Sequence, residues 1–515
     1  QTPFYHPKMA IRSSTISDPA DTRIVFRSAI ASRIVLLTLT VIWRSILTPY
    51  DTSASINPSC LSSTTTTTAA GHHEQFILFP RIAAAIENGV VWDSVYFVRI
   101  AQCGYEYEQT YAFLPLLPLC ISFVSQTVLQ PLIPLVGHRA VLALSGYLLS
   151  NILFVFAALF LYRLSVIILK DSEASLRASI LFCFNPASIF YSSIYSESLY
   201  ALLSIGGLYF LMSGANNLAV LWLAFSGCAR SNGVLNAGYI GFQTMHRAYD
   251  AVFLQKRAFL AFQVIVAGIL RCVFVFIPFA AFQAYGYYNL CDGLSPDKLR
   301  PWCKAKIPLL YNFIQSQYWG VGFLRYFQIK QLPNFLLASP ILSIALCSII
   351  HYVKLQPKEF FSLGFQVAPK SYGDASVLLS PGINTKNTSL SERETSTARA
   401  SQEDQAPRRR KASTKEAGPT VLSTENASTD KLGNFSIIII PFVLHLVFMV
   451  ATAFFVMHVQ VATRFLSASP PIYWFASYVL MSPKTRKGWG HLIWGYCAAY
   501  ILIGSLLFSN FYPFT

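Results

Sequence analysis

Long apolar runs constrain the fold of this chain more than any other sequence feature. Six runs approach or exceed the roughly 18–20 residues that cross the apolar core of a bilayer; they cover residues 139–162, 178–212, 258–285, 333–350, 436–457 and 491–509. Charged residues make up only 12% of the chain, about half of the roughly 25% typical of soluble proteins. No alternating pattern of membrane β-strands is present. The sequence therefore predicts an all-α, polytopic membrane protein with about nine to eleven transmembrane helices.

Basic residues predict which helix ends face the cytosol. A further apolar run, 34–48, follows several arginines, which indicates a retained first span with residues 1–33 in the cytosol. Other basic groups mark cytosolic turns; they lie within 163–177, 246–257, 408–411 and 484–487. Alternation of the spans then places the remaining loops on the far side of the membrane, above all residues 51–135 and 286–332.

Two polar segments interrupt the apolar sequence. Residues 51–72 are rich in Ser and Thr, which is typical of a flexible linker. Residues 355–432 contain too little apolar surface to offset chain entropy, so we predict a disordered cytosolic insert. This insert separates a transmembrane body, 34–354, from a C-terminal transmembrane part, 433–515.

The net charge of +16 and the ten cysteines do not by themselves indicate a partner. Basic flanks that orient spans account for the charge more readily than nucleic-acid binding, since no RNA-binding motif appears. The absence of a CxxC pair argues against a zinc ribbon or a thioredoxin motif. Cys291 and Cys303 share a far-side loop, where an oxidising compartment would permit a disulfide, but spacing alone does not decide the pairing.

The stretch WDSVYFVRIAQCGYEYEQTYAFLPLLP, residues 92–118, embeds charges in an aromatic segment. It contains Trp92, Asp93 and Glu108. An ionised group at membrane depth is costly and is therefore usually functional or paired. A carboxylate in partly dry, aromatic surroundings suits a general base. The alternative is a structural ion pair between Asp93 and Arg99.

Two further motifs carry polar residues inside apolar sequence. FNPASIFYSSIYSESLYALLS contains Asn185 and Glu197, and ARSNGVLNAGY contains Arg230 and Asn232. Arginine can bind a phosphate through two parallel hydrogen bonds, so Arg230 is a candidate phosphate ligand. The alternatives are that Arg230 only neutralises Glu197 and that Glu197 only caps the following helix.

The last candidates lie near the ends of later spans. Gln317 belongs to a segment rich in amides, which match sugar hydroxyls as donors and acceptors; the alternative is an interfacial aromatic belt. MHVQVATRFLSASPPIYWF contains His458, Gln460 and Arg464, which either contact a lipid phosphate or lie at the membrane interface. The chain has no DxD, HExxH or P-loop motif, and its histidines are dispersed. We therefore predict no metal site and a donor carried by a lipid.

These motifs resemble the PIG-V family, the second mannosyltransferases of glycosylphosphatidylinositol (GPI) anchor synthesis. The resemblance extends in order from WDSVYFVRIAQCGYEYEQTYAFLPLLP through FCFNPASIFYSSIYSESLYALL, ARSNGVLNAGY, PLLYNFIQSQYWGVGFLRYFQIKQLPNFLLASP and MHVQVATRFLSASPPIYWF to the terminal NFYPFT. Only the linker and the insert lie outside it. Cys103 departs from the family pattern, and we assign it no catalytic role.

The resemblance implies a GT-C glycosyltransferase in the endoplasmic reticulum membrane with a catalytic loop in the lumen. It implies dolichyl-phosphate-mannose as donor, no cofactor, and a GPI precursor as acceptor of the second, α1,6-linked mannose. By similarity Asp93 is the catalytic base, and Arg230 and Arg464, with His458 as a weaker candidate, stabilise the leaving phosphate. Glu108 and Glu197 then orient acceptor hydroxyls or the arginines. A small accessory membrane subunit is a further expected partner.

Two other classes of function fit part of the sequence. In a transporter or lipid flippase, the embedded charges would line a pathway near the membrane midplane. In a non-catalytic membrane subunit, Asp93 would be dispensable for the product. The charged motifs favour an enzyme, because the orientation predicted from basic residues gathers them at one face.

Overall fold

The structure is a computed structural model that describes residues 18–50, 60–61, 77–293, 295, 297, 299–365 and 436–512. Its regular elements in these ranges are helices. In chain order they are α1 (Pro19–Ile46), α2 (Pro80–Asn88), α3 (Ser94–Cys103), α4 (Leu116–Gln126), α5 (Ile133–Val136), α6 (His138–Leu169), α7 (Ser172–Cys183), α8 (Ser188–Ser192), α9 (Glu197–Met212), α10 (Asn216–Ala229), α11 (Ala237–Tyr249), α12 (Ala258–Cys291), α13 (Leu310–Gln317), α14 (Leu332–Leu355), α15 (Pro357–Phe361), α16 (Ser436–Phe455), α17 (Ala462–Leu466), α18 (Pro470–Met481), α19 (Pro483–Thr485) and α20 (His491–Ser509).

The predicted all-α, multi-span architecture is confirmed. In the described part of the chain, six helices are long and apolar enough to cross a membrane, or up to seven if a bent pair at residues 116–136 forms one span. This is fewer than the nine to eleven predicted. One reason is that the apolar run 178–212 is not one helix: it breaks at Asn185–Pro186 into α7, α8 and α9. Proline cannot continue the hydrogen-bond ladder of a helix interior, so the break falls there.

Helix α1 corrects the prediction for the N-terminal region. It begins at Pro19, where the Asp18 carboxylate caps the first turn, so the residues before Ile34 are already helical. Arg33 is not a cytosolic flank: its side chain is buried and donates to the Ser188 carbonyl and the Ser192 hydroxyl, both at 3.0 Å. The residue that looked like an orientation signal in the sequence instead binds α1 to the break between α7 and α9.

The path of the chain brings several helix ends together. Helix α9 leads away from Glu197, a turn at residues 213–215 reverses the chain, and α10 returns to Arg230. The two helices pack side by side: an added Cβ on Gly207 would lie 2.5 Å from Leu223. Because the pair is antiparallel and in close contact, Glu197 and Arg230 lie at the same end of the helices.

Two disulfides lie near this end. Cys291 is bonded to Cys303, which confirms the pairing that the sequence left open. The sequence analysis missed the second bond, between Cys60 and Cys103, which joins the linker to the end of α3. The two cysteines are 43 positions apart in the sequence, and this separation gave no local pattern from which to predict the bond.

The predicted insert is described only at its beginning. There the turn after α15 packs against α11, with Nε2 of His246 2.9 Å from the Leu363 carbonyl oxygen. Residues 366–432 lie outside the described residues, as does almost all of the linker 51–72.

Candidate active site

Trp92, the residue that precedes Asp93 at the start of α3, has an unusual backbone conformation. Trp92 has a φ of +53°, a left-handed conformation that costs energy for a bulky residue and often marks functional sites. Its indole N–H donates to the Phe508 carbonyl at 3.1 Å, and its ring contacts Phe511. The last helix of the chain therefore fixes the residue that directs Asp93 into the site.

Asp93 forms an ion pair with Arg464. Nη1 of Arg464 lies 3.2 Å from Oδ2 of Asp93. The alternative that Asp93 pairs with Arg99 is wrong, because Arg99 pairs with Glu106 at 2.6 Å and both of those side chains are buried. A separation of six positions suggested a local pair, but α3 directs Arg99 toward Glu106 in the segment that follows the helix.

Glu197 lies beneath this pair and contacts both arginines. It begins α9, its side chain is 3% exposed, and its Oε1 lies 2.9 Å from Nε of Arg464. The same oxygen is in close contact with Nη1 of Arg230. These contacts are ion pairs rather than aligned hydrogen bonds. Asp93, Arg464, Glu197 and Arg230 thus form a continuous chain of alternating charges, which we call the charge chain.

The structure decides between the two alternatives for Glu197 and Arg230. Neither carboxylate oxygen of Glu197 makes a hydrogen bond within the described residues, so this side chain does not serve as a cap of α9. Arg230 does neutralise Glu197, as the structural alternative proposed. Glu197 has two basic partners, however, and Arg230 keeps 15% of its side chain exposed. Pairing with Glu197 therefore leaves part of Arg230 available for a ligand.

Two aromatic rings enclose Arg464, and the sequence analysis named neither. The guanidinium carbon lies 5.3 Å from the ring centroids of both Phe190 and Tyr195, within the range of cation–π attraction. The Tyr195 hydroxyl also accepts a hydrogen bond of 3.1 Å from the Asp93 backbone N–H. Tyr195 lies two residues before Glu197, and this short spacing was the only available signal for its role.

The surroundings favour a permanently charged Arg464. Burial alone would lower the pKa of its guanidinium, but Glu197, Asp93 and Tyr195 together raise it above its ordinary value. Burial, with a contribution from Asp93, raises the pKa of Tyr195 well above 10. Arg464 is therefore a fixed cation and Tyr195 a neutral hydroxyl over the whole physiological pH range.

Glu108 lies apart from the charge chain. Its carboxylate accepts hydrogen bonds from the Trp302 indole at 2.8 Å and the Tyr318 hydroxyl at 2.7 Å. Arg300 lies 3.4 Å away. These contacts connect the aromatic stretch to the loop after α12. The geometry therefore gives Glu108 partners in this loop and does not bring it to Arg230 or Arg464. The other predicted role of Glu108, to orient acceptor hydroxyls, remains a prediction.

Asn185 and Gln317 also lie outside the charge chain. Asn185 is fully buried, and both ends of its amide bond to local backbone, at Phe182 and Ala187. It therefore shapes the break after α7. Gln317 is exposed at the end of α13.

Three other predicted ligands lie closer in the chain to the arginines. Asn232 is 8% exposed in the turn after Arg230. His458 stacks on Tyr326, with ring centroids 4.6 Å apart, and Gln460 interacts with the Tyr326 hydroxyl. The roles predicted for these side chains remain predictions.

One group of potential metal ligands forms among the residues that the structure describes. It consists of Cys60, Cys103 and Glu106. The two sulfur atoms are bonded to each other, and Glu106 is paired with Arg99. A disulfide has no thiolate to offer a metal, so this group does not fit a metal ion.

Comparison with known proteins identifies the family. The family model described as Mannosyltransferase (PIG-V) matches residues 22–515. GPI alpha-1,6-mannosyltransferase 2 of Homo sapiens is 27% identical over 95% of this chain and 98% of its own length. GPI mannosyltransferase 2 of Drosophila pseudoobscura pseudoobscura is 30% identical over 82% and 86%, and that of Chaetomium globosum is 34% identical over 49% and 61%. No solved structure matches.

The fold and the charge chain define a multi-span α-helical membrane protein with paired carboxylates and arginines at the ends of its helices. The family match makes this protein a glycosyltransferase. The chain belongs to the PIG-V mannosyltransferase family. Membership in a family of enzymes decides against the transporter, the flippase and the non-catalytic subunit.

Proposed function

We propose that this protein adds the second, α1,6-linked mannose to a GPI precursor, with dolichyl-phosphate-mannose as donor, in the lumen of the endoplasmic reticulum. The names of its relatives support the acceptor class and the linkage. The observation that carries the proposal is the charge chain, because it places one partly exposed carboxylate, Asp93, beside Arg464 and connects that arginine through Glu197 to Arg230. Transfer of a sugar from a phosphate requires both kinds of group.

Asp93 is the proposed general base. Its side chain is 34% exposed, so an acceptor hydroxyl can reach it, whereas Glu197 is buried beneath the arginines. Asp93 removes the proton from O6 of the acceptor mannose while that oxygen attacks the anomeric carbon. Phosphate leaves from the opposite face, so the configuration at that carbon inverts. The donor phosphate is itself an adequate leaving group, so this step needs no nucleotide.

Arg464 and Arg230 are the proposed phosphate ligands. Glu197 lies 2.9 Å from Nε of Arg464 and also contacts Arg230. A buried carboxylate shared by two guanidinium groups fixes their positions before substrate binds. Donors placed in advance where charge develops contribute strongly to catalysis, because they need not reorganise during the reaction. Glu197 is thus a positioning residue in this proposal.

The disulfides support a luminal site. Cys60–Cys103 ends α3, the helix that Asp93 begins, and Cys291–Cys303 lies in the loop that contacts Glu108 through Trp302. Disulfides persist in oxidising compartments such as the lumen of the endoplasmic reticulum and are rare in the cytosol. The bilayer supplies both lipid-linked substrates, and a small accessory membrane subunit remains a proposed partner.

Complementation tests the proposed function. The full chain is expressed in cells that lack the second GPI mannosyltransferase, and the lipid-linked GPI intermediates in their microsomes are separated by size. We expect loss of the one-mannose intermediate and appearance of larger products. Accumulation of the one-mannose intermediate, with the protein present in the membrane, would overturn the proposal. An Asp93→Asn chain should not complement. Its matched control is Glu173→Gln, which should complement, since Glu173 forms an exposed pair with Arg177 in α7.

A further inference from the structure

Arg464 connects the proposed base to the proposed phosphate site. Its guanidinium has a buried edge, where Nε lies 2.9 Å from Glu197, and a more open edge, where Nη1 lies 3.2 Å from Asp93. Glu197 is 3% exposed and Asp93 is 34% exposed. The protein therefore fixes the first contact, whereas the second lies where a ligand can displace it.

A donor phosphate needs the same open edge. Guanidinium N–H groups bind phosphate oxygens in pairs, with a geometry that a carboxylate also satisfies. Phe190 and Tyr195 lie near the Arg464 guanidinium and limit the directions from which an anion can approach it. Asp93 and an incoming phosphate therefore compete for the open edge of the Arg464 guanidinium.

We infer that Arg464 is a shared counter-ion whose transfer from Asp93 to the donor phosphate makes the base available. In the structure Arg464 is paired with the Asp93 carboxylate. A bound phosphate takes over the open edge, and Asp93 can then accept a hydrogen bond from the acceptor hydroxyl. The donor thereby prepares the protein for the acceptor. This inference rests on the proposed function, because it requires a donor that carries phosphate.

The charges in the reaction are consistent with this sharing. A bond forms between O6 of the acceptor and the anomeric carbon, and the bond from that carbon to the phosphate oxygen breaks. The electron pair of the broken bond stays on phosphate, and the proton of O6 moves to Asp93. Asp93 loses its negative charge as phosphate gains one, so Arg464 remains paired with an anion throughout.

The inference predicts an unusual result for a variant. Farnesyl phosphate serves as the probe, and its dissociation constant is measured with the purified full-length protein in nanodiscs. Asp93→Asn should tighten binding about three- to tenfold, since Arg464 is then no longer occupied by a competing carboxylate. Glu173→Gln removes one exposed negative charge elsewhere and should leave the constant unchanged. Unchanged or weaker binding by Asp93→Asn would overturn the inference.

A double-mutant cycle separates competition from simple charge repulsion. If Asp93 acts through Arg464, the tightening by Asp93→Asn should disappear in an Arg464→Gln background. If Asp93 merely repels phosphate, the tightening should persist there, which would overturn the inference. Intrinsic fluorescence and size-exclusion profiles establish that each variant is folded.

A second measurement leaves Arg464 unchanged and decides the question if Arg464→Gln does not fold. Binding of methyl α-mannoside is followed by saturation-transfer NMR with and without farnesyl phosphate. The unchanged chain should bind the sugar more tightly when farnesyl phosphate is present, and Asp93→Asn should lose this coupling. Equal coupling in the unchanged chain and in Asp93→Asn would overturn this inference but not the proposed function. If the unchanged chain did not bind farnesyl phosphate at all, the proposed donor would fail, and the inference with it.

Discussion

Nη1 of Arg464 lies 3.2 Å from Oδ2 of Asp93, although 371 positions separate the two residues in the chain. Through Glu197 the same arginine is connected to Arg230 at the end of α10. Four motifs that are distant in sequence therefore form one site only when α3, α9, α10 and α17 are all packed. Variants in any of these motifs test the same arrangement.

Asp93→Asn should abolish mannose transfer while the protein still accumulates in the membrane. The amide keeps the shape of the side chain but cannot take the hydroxyl proton, so we expect a loss of roughly 10²- to 10⁴-fold in rate. Microsomal transfer of labelled mannose to the GPI intermediate measures this. Activity within a few-fold of the unchanged chain would remove Asp93 from the role of base.

Arg230→Lys should impair transfer although the positive charge is kept. Lysine lacks the planar fork that can contact Glu197 and a phosphate oxygen together. We expect a higher KM for the donor, measured with a short-chain prenyl-phosphate mannose at fixed acceptor. The matched control is Arg177→Lys, because Arg177 forms an exposed pair in α7. Full activity of Arg230→Lys would reduce Arg230 to a charge partner of Glu197.

Trp92→Phe should destabilise the protein by about 0.5–1.5 kcal/mol, because it removes the hydrogen bond to the Phe508 carbonyl and keeps an aromatic ring. The thermal unfolding midpoint in detergent micelles measures this effect. Trp489→Phe is the control, since Trp489 is 64% exposed and its midpoint should not move. Equal shifts of the midpoint in both variants would mean that the hydrogen bond from Trp92 to the Phe508 carbonyl does not stabilise the protein.

Cys60, Cys103, Cys291 and Cys303 should resist alkylation until a reductant is added. The structure joins them in two pairs beside the site. Peptide mapping of protein alkylated during lysis, with and without reduction, reports each thiol. Free thiols at all four positions would argue for a cytosolic site and against the proposed orientation.

The sequence predicted the membrane class and all four members of the charge chain, because ionised residues within apolar runs are conspicuous at membrane depth. It could not pair them. Asp93 and Arg99 are close in sequence, yet α3 turns Arg99 to Glu106, and the partner of Asp93 comes from the other end of the chain. Tyr195 was missed because an aromatic residue in an aromatic segment carries no distinguishing signal until a cation lies over its ring.

Glu108 and Arg33 show a second limit of prediction from sequence: a charged residue in an apolar segment can have partners within the protein alone. Both are charged residues in apolar surroundings, and both satisfy structural contacts: Glu108 with Trp302 and Tyr318, and Arg33 with the turn after α7. Burial cost alone indicates that a charge must be paired. Only the packed structure shows whether the partner belongs to the protein or is a ligand.

The final prediction concerns the side of the membrane on which the insert lies. The Leu324 backbone N–H donates to the Phe455 carbonyl at 2.7 Å, so the end of α16 meets the loop that precedes α14. Helix α14 leads away from that point to Leu355, and α16 returns to it from Ser436. Residues between these two helices therefore begin and end on the side opposite to the loop at Leu324.

If the site is luminal, this geometry places residues 356–435 in the cytosol. Asn387 and Asn426 stand in N-glycosylation triplets within that segment and should then carry no glycan, since the glycan is added only in the secretory pathway. The mass of the microsomal protein before and after glycosidase treatment measures this. As a positive control, an acceptor triplet engineered into the exposed loop around Lys306 should be glycosylated. A glycosidase-sensitive shift that disappears in Asn387→Gln or Asn426→Gln would place the insert in the lumen and the charge chain, with Asp93, in the cytosol.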